Sequence, residues 1–288
     1  MKFNLKRKGV LSGSMYVLSV MLLLFAGLNS VQAQVKIYIM TDLEGVSGVY
    51  KFEQTREKDT PLNIQACEYF MADLAAVVRG LRDGGATEIL IIDGHGSQAM
   101  IPHLMEPGAK YVTGKLKPGI GLWGLDKSFS GLVQFGAHAM MGTTDGVLNH
   151  TQSSKTENKY WYNGVESGEL AQCAAIAGYY GVPTILVTGD IATGREATKF
   201  FGPECVTVAV KEGISREAAM LYPFEESHKA LYEGARKSIA AISKCKPYIV
   251  QIPIKAKMEY LDLDPALPKP RLLGKEWVIP DALHLLEQ

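Results

Sequence analysis

The 288-residue chain has no excess of charge of either sign, with 30 lysines and arginines against 30 aspartates and glutamates. Nothing in that balance supplies the basic stripe that neutralises phosphates, so nucleic acid is excluded as a partner. Cysteine is scarce as well. Cys67, Cys173, Cys205 and Cys245 are far apart and form no C-x-x-C pair, which removes the common structural zinc and dithiol redox sites. Cys67 and Cys173 fall in apolar helical patterns, where a thiol serves as a small hydrophobe. An exported protein permits a disulfide, but the spacing selects no pairing. The chain has no internal repeat and no low-complexity linker, and hydrophobic residues at 47% fit an ordinary globular chain.

Long hydrophobic runs are missing too. The run from Met15 to Leu28 falls short of the ~20 residues that span a bilayer. Lys2, Lys6, Arg7 and Lys8 precede it with no acid among them, and Val31-Gln32-Ala33 follows as a small-x-small cleavage pattern. Basic start, short apolar run and small residues before a cut make a secretory signal peptide over residues 1–33. No cysteine follows the run, which argues against a lipid anchor. The expected mature chain begins near Gln34, is periplasmic or secreted, and keeps no stable membrane span. Losing four bases leaves 26 against 30 acids, a mildly acidic product. Its roughly 255 residues suffice for one large domain or two smaller ones.

The mature chain alternates apolar strands with amphipathic helices. Strands are expected at Val35–Met40, Glu88–Ile92, Leu132–Gly136, Val182–Val187, Cys205–Val210 and Tyr248–Ile254. Helices are expected at Asn63–Arg82, Glu169–Tyr180, Glu196–Phe200 and Glu226–Ser243. Such alternation implies an α/β fold, a largely parallel sheet covered by helices on both faces, with a smaller C-terminal α/β portion. The expected division is a catalytic domain over 34–200 and a C-terminal one over 201–288.

In parallel sheets ligands collect outside the carboxyl ends of the strands. Asp42 and Glu44 follow the first strand, on an extended segment that puts them on one side about 7 Å apart. Two neighbouring carboxylates repel unless a cation or a proton lies between them. His95 follows the second strand and His138 the third, so three consecutive strands end on metal-competent side chains. The long polar stretch from Met140 to Gly168 holds His150 and the aromatic cluster Tyr160-Trp161-Tyr162. A loop of that length inside a compact domain points to function. Glu169 opens the next helix, where it faces the strand ends or only complements the helix dipole. His103, His228 and His284 read as surface or structural.

The stretches Asp42-Leu43-Glu44-Gly45-Val46-Ser47-Gly48, Asp93-Gly94-His95, Gly136-Ala137-His138-Ala139, Gly146-Val147-Leu148-Asn149-His150 and Gly168-Glu169-Leu170 occur in this order. In order and spacing they resemble the DppA-like D-aminopeptidases, a zinc metallopeptidase family, from Val35 to about Ser215. Gly124-Leu125-Asp126 and Ala177-Gly178-Tyr179-Tyr180 extend the resemblance, which fades beyond about Tyr222. It implies two zinc ions per subunit on Asp42, Glu44, His95, His138 and Glu169, with His150 as the catalytic histidine. It also implies a homo-oligomer built of rings and a short peptide as substrate, cleaved at its N-terminal residue by metal-activated water. Three carboxylates would offset most of the charge of two such ions, and five donors leave coordination positions open. Asp93 is a candidate hydrogen-bond partner for His95; Tyr160 and Trp161 either shape the pocket or pack. Two other readings stay open, a dinuclear phosphoesterase and a non-catalytic periplasmic binding protein.

Overall fold

A computed structural model describes residues 1–2, 34–96, 99–116 and 121–287. The expected signal peptide lies outside the described residues. Among those described, no helix is long and apolar enough to cross a membrane.

Residues 35–288 form one unit built on a seven-stranded sheet. In chain order its strands are β1 (Lys36–Thr41), β2 (Glu88–Ile92), β3 (Lys110–Val112), β4 (Gly131–Phe135), β7 (Thr184–Asp190), β8 (Val206–Ser215) and β9 (Ala218–Leu221). Across the sheet they run β3-β2-β1-β4-β7-β8-β9. All pairings are parallel except β8 with β9. Every residue of β4 and β7 is buried, as expected of strands covered on both faces. The order turns at β1: β2 and β3 extend the sheet to one side, and β4, β7 and β8 to the other. That switch point opens a crevice at the strand ends.

One face carries α2 (Pro61–Gly84) and α5 (Phe224–Ala241), which pack against each other. Thr60 caps α2 by accepting the Asn63 N–H at 3.3 Å, and Pro61 takes the first helical position, where its missing donor costs nothing. Phe70, Leu74, Val77 and Leu81 on α2 meet Ile37 and Ile39 of β1. Each such fully buried side chain contributes about 1.5–3 kcal/mol. The short α1 (Glu53–Arg56) precedes α2.

The other face carries α3 (Glu169–Tyr179), α4 (Ile191–Phe201) and a second, antiparallel sheet. In that sheet β10 (Ile254–Asp262) pairs with β11 (Arg271–Ile279) and with β5 (Lys159–Tyr162), which pairs with β6 (Val165–Glu166). Tyr38 of β1 is buried in this second core with Tyr160, Tyr162, Ile176 and Ile254, and Met40 of the same strand packs against it.

Two expectations are corrected. Tyr248–Ile254 is not a strand: Pro253 lacks the N–H a ladder requires, and pairing begins only at Ile254. No domain boundary falls near residue 200, because β7 and β8 pair across it and the last strands close on β5. All four cysteines are buried.

Candidate metal centre

The chain leaves β1 at Thr41 and turns at once, so Asp42 and Glu44 stand on a turn instead of an extended segment. The turn is pressed against the one after β4. Gly45 N–H donates to Gly136 O at 2.7 Å, and a Cβ on Gly45 would collide with the carbonyl of Ala137. Gly136, at φ +65°, lies equally close to the carbonyl of Asp42. Beneath the turn lies Lys211 of β8, fully buried, its Nζ donating to the carbonyls of Glu44, Val46 and Val49 at 2.6, 2.9 and 2.5 Å. Burial pulls its ammonium down to about 8.

All six expected site residues converge here. His95 Nδ1 is 3.0 Å from Asp42 Oδ1 and 3.0 Å from Glu44 Oε2. His138 Nε2 is 3.2 Å from Asp42 Oδ2 and 3.7 Å from Glu169 Oε1. His150 stacks on His138 with ring centroids 3.9 Å apart. The potential ligand atoms fall into two groups, Asp42 with Glu44 and His95, and His138 with His150 and Glu169, each within 4.8 Å.

Backbone carbonyls fix how the imidazoles present themselves. His95 Nε2 lies 3.0 Å from Thr55 O, His138 Nδ1 3.0 Å from Ala139 O and His150 Nδ1 2.8 Å from Leu148 O. A carbonyl only accepts, so each of these nitrogens carries a proton and the other nitrogen is aimed at the cluster. There, in two of the rings, it meets carboxylate oxygens, which also only accept. Glu44 Oε2 and His138 Nε2 are both buried without a properly formed hydrogen bond.

The metal-free chain resolves that conflict with protons. Burial works against charge on His138, but Asp42 and Glu169 outweigh it and raise the imidazole to about 10. His95 is raised in the same sense by Glu44 and Asp42 against its own burial. Burial would raise Asp42, yet hydrogen bonds from His138 and His95 hold it well below the usual carboxylate range. Burial, then the neighbouring His138, lowers His150. Cations in place of those protons would satisfy the same lone pairs, so the donor set fits a metal pair.

The loop bearing His150 is held from several sides. Asp190 Oδ2 accepts from Val147 N at 2.7 Å while its Oδ1 caps α4. Arg216 donates to Asn149 O at 3.1 Å, and Leu148 N–H donates to Arg216 O at 2.7 Å. Leu148 and Gln152, on either side of His150, sit at φ 53° and 63°, which costs order 1–3 kcal/mol each and needs such restraint. Gln152 N–H also donates to Glu169 Oε1 at 2.6 Å, and its side chain links through Gln172 to Tyr162.

Asp93 does not partner His95. It accepts from Thr113 Oγ1 at 3.0 Å and Ala99 N at 3.3 Å, organising the loop after β2. Tyr160 packs in the second core, and Trp161 lies beneath Lys257, so neither lines the site. His228 pairs with Asp73 and His284 with Asp281, as structural histidines do. Lys211, Arg216, Asp190 and Thr55 escaped the sequence reading. Lys211 left one mark, a charge directly after the apolar stretch Val206–Val210.

Comparison with known proteins places this geometry. A model of the D-aminopeptidase family, Peptidase_M55, matches residues 35–267. A D-aminopeptidase of Bacillus subtilis (strain 168) is 29% identical over 219 residues, covering 74% of this chain and 76% of that protein. A solved structure described as the Zn-dependent D-aminopeptidase DppA from Bacillus subtilis, a self-compartmentalizing protease, shares the fold. It superposes with a TM-score of 0.77 at 23% identity, over 88% of this chain and 94% of that one. With four-fifths of its length matched by the family model and the family's stretches gathered in one crevice, the chain belongs to the D-aminopeptidase family.

Proposed function

We propose that this protein is a zinc-dependent aminopeptidase that removes N-terminal residues, D-amino acids in particular, from short peptides. The observation that carries the reading is the Asp42 carboxylate, whose two oxygens face His95 and His138 from between two three-donor groups. Imidazole and carboxylate donors without a thiolate suit zinc, and the structural relative is described as Zn-dependent. Asp42, Glu44 and His95 would hold one ion; Asp42, His138 and Glu169 would hold the other. Bound zinc supplies Lewis acidity toward a peptide carbonyl and brings the pKa of water to about 7.

The chain's own residues do the rest. Thr55 and Ala139 carbonyls keep the His95 and His138 lone pairs turned inward. Gln152 N–H fixes the Glu169 carboxylate. His150, its Nδ1 proton tied to Leu148 O and its plane set by stacking on His138, keeps Nε2 free to take a proton from the attacking water and return it to the leaving amine.

Metal analysis of the purified protein, followed by release of alanine from D-Ala-D-Ala and from L-Ala-L-Ala, tests the reading. Two zinc ions per chain and preferential D-cleavage are expected. Exclusive L-cleavage would remove the D-specificity, and hydrolysis of an aryl phosphate with no peptide turnover would replace the peptidase by a phosphoesterase. The same reading takes the chain to be exported and to assemble as a homo-oligomer around its sites. The described relative is self-compartmentalizing, and the basic, apolar, small-residue start supports export. Light scattering would return a multiple of the chain mass, and N-terminal sequencing of the exported form would begin near Gln34.

A further inference from the structure

The metal centre stands between two recesses of opposite character. Behind it lies a cavity of about 170 Å³, walled by Met40, Leu170, Cys173 and Leu286 beside Asp42, His138 and Glu169. In front, a recess of about 350 Å³ opens to solvent, with Arg56, Lys58 and Lys155 around it. Asp42 and Glu169 belong to both, so a ligand at the centre reaches into each.

The front recess is built to hold an anion. Every carboxylate lining it belongs to the metal cluster itself. Arg56 is seated on the Phe52 ring, 3.4 Å from its centroid, with Nε and Nη2 donating to Ser154 Oγ at 2.9 Å and Ser154 O at 3.0 Å. That leaves Nη1 with no hydrogen bond among the described residues. Lys58 and Lys155 are exposed and form no ion pair among them. Outside the cluster's own side chains, the rear cavity is lined by apolar residues, Thr41 and two glutamines, with no lysine or arginine. A short peptide carries its one obligatory negative charge at the free carboxyl end, and only the front recess can receive it.

We propose that Arg56, with Lys58 and Lys155, binds the C-terminal carboxylate of the substrate. The inference rests on the aminopeptidase reading and adds the substrate's anchoring group. Cleavage of the N-terminal bond places the first residue on one side of the metal centre and the leaving residue on the other. In a dipeptide the leaving residue brings its carboxylate into the basic recess. A longer peptide or a C-terminal amide brings a neutral group there and leaves the cations unpaired.

The test compares kcat/KM for D-Ala-D-Ala and for the same dipeptide as its C-terminal amide, with the L-series alongside, on the full-length zinc-loaded enzyme. The free acid is expected to be favoured about tenfold or more, the equivalent of one 1.4 kcal/mol step. The ratio is expected to fall as salt rises, and to move toward one in Arg56→Gln and in Lys155→Gln. Lys155 makes no described hydrogen bond whose loss would disturb folding. Equal rates on acid and amide, or a ratio unmoved in both variants, would overturn carboxylate recognition while leaving the aminopeptidase reading intact. Hydrolysis of neither peptide in either series would overturn both.

Discussion

A carboxylate shared by two imidazoles and a histidine stacked on one of them play separable parts, and single substitutions separate them. Asp42→Asn removes the charge that faces both His95 and His138, so zinc content should fall well below two per chain by elemental analysis. His150→Ala should keep both ions and lose about 10²–10⁴-fold in kcat, the usual worth of a proton-transfer group. Loss of zinc from His150→Ala would instead make that residue a ligand alongside His138 and Glu169.

Glu196 of α4, which is not among the expected ligands, allows a pH measurement. Its Oε2 accepts from Met140 N at 2.7 Å, its Oε1 has no hydrogen bond, and burial raises it to about 7. Below about 4.5 the group is protonated folded or unfolded. Between about 4.5 and about 7 only the unfolded chain ionises, so stability falls as pH rises across that window, by up to about 3 kcal/mol. The metal-free wild type should therefore lose more Tm from pH 5 to pH 7 than Glu196→Gln, whose amide can still accept from Met140.

At the level of elements, strand ends position the chemistry, and one strand supports another's turn from below. Lys211→Met would leave the carbonyls of Glu44, Val46 and Val49 without their donor. With about 1–3 kcal/mol for each buried group so stranded, partly offset by no longer burying a charge, a net loss of about 3 kcal/mol is expected. Thermal unfolding of the metal-free protein would show it, and weaker zinc binding by the relaxed turn should accompany it.

Legibility in the sequence followed burial. β1, β2, β4 and β7 could be read because strands covered on both faces are continuous apolar runs bounded by turn residues. The second sheet was hidden because β10 interleaves its buried residues with charged ones and β11 leaves most of its side chains exposed, so neither forms a continuous apolar run. Tyr248–Ile254 was misread because its apolar content masked the proline that ends it. The meeting of Asp42, Glu44, His95 and His138 was legible because three strand exits carry chemistry-bearing residue types, whereas Glu169 and His150 were placed beside them only by the family resemblance. Their supports were not legible. Nothing local announces that the lysine in β8 faces inward, or that His95 donates to Thr55 and not to Asp93, since both depend on segments that meet only in three dimensions.

At the scale of the molecule, the family match stops at residue 267 and the structure does not. β11 pairs with β10 over nine positions, and Ile279, Leu283 and Leu285 are buried. Deleting residues 268–288 would bare a long edge on β10 and open the second core. The truncated chain should aggregate or lose its cooperative unfolding transition in circular dichroism. Leu286 also walls the cavity behind the metal centre, so the tail contributes to the substrate's surroundings as well as to stability.

The donors come from the exits of three neighbouring strands, a long loop and the start of α3, and they meet only at the switch point beside β1. An unfolded or half-paired chain therefore offers zinc little beyond one acidic pair. Ions arrive last, as a seal on a finished architecture and never as its template, and a chelator added after refolding should silence the enzyme without dismantling it.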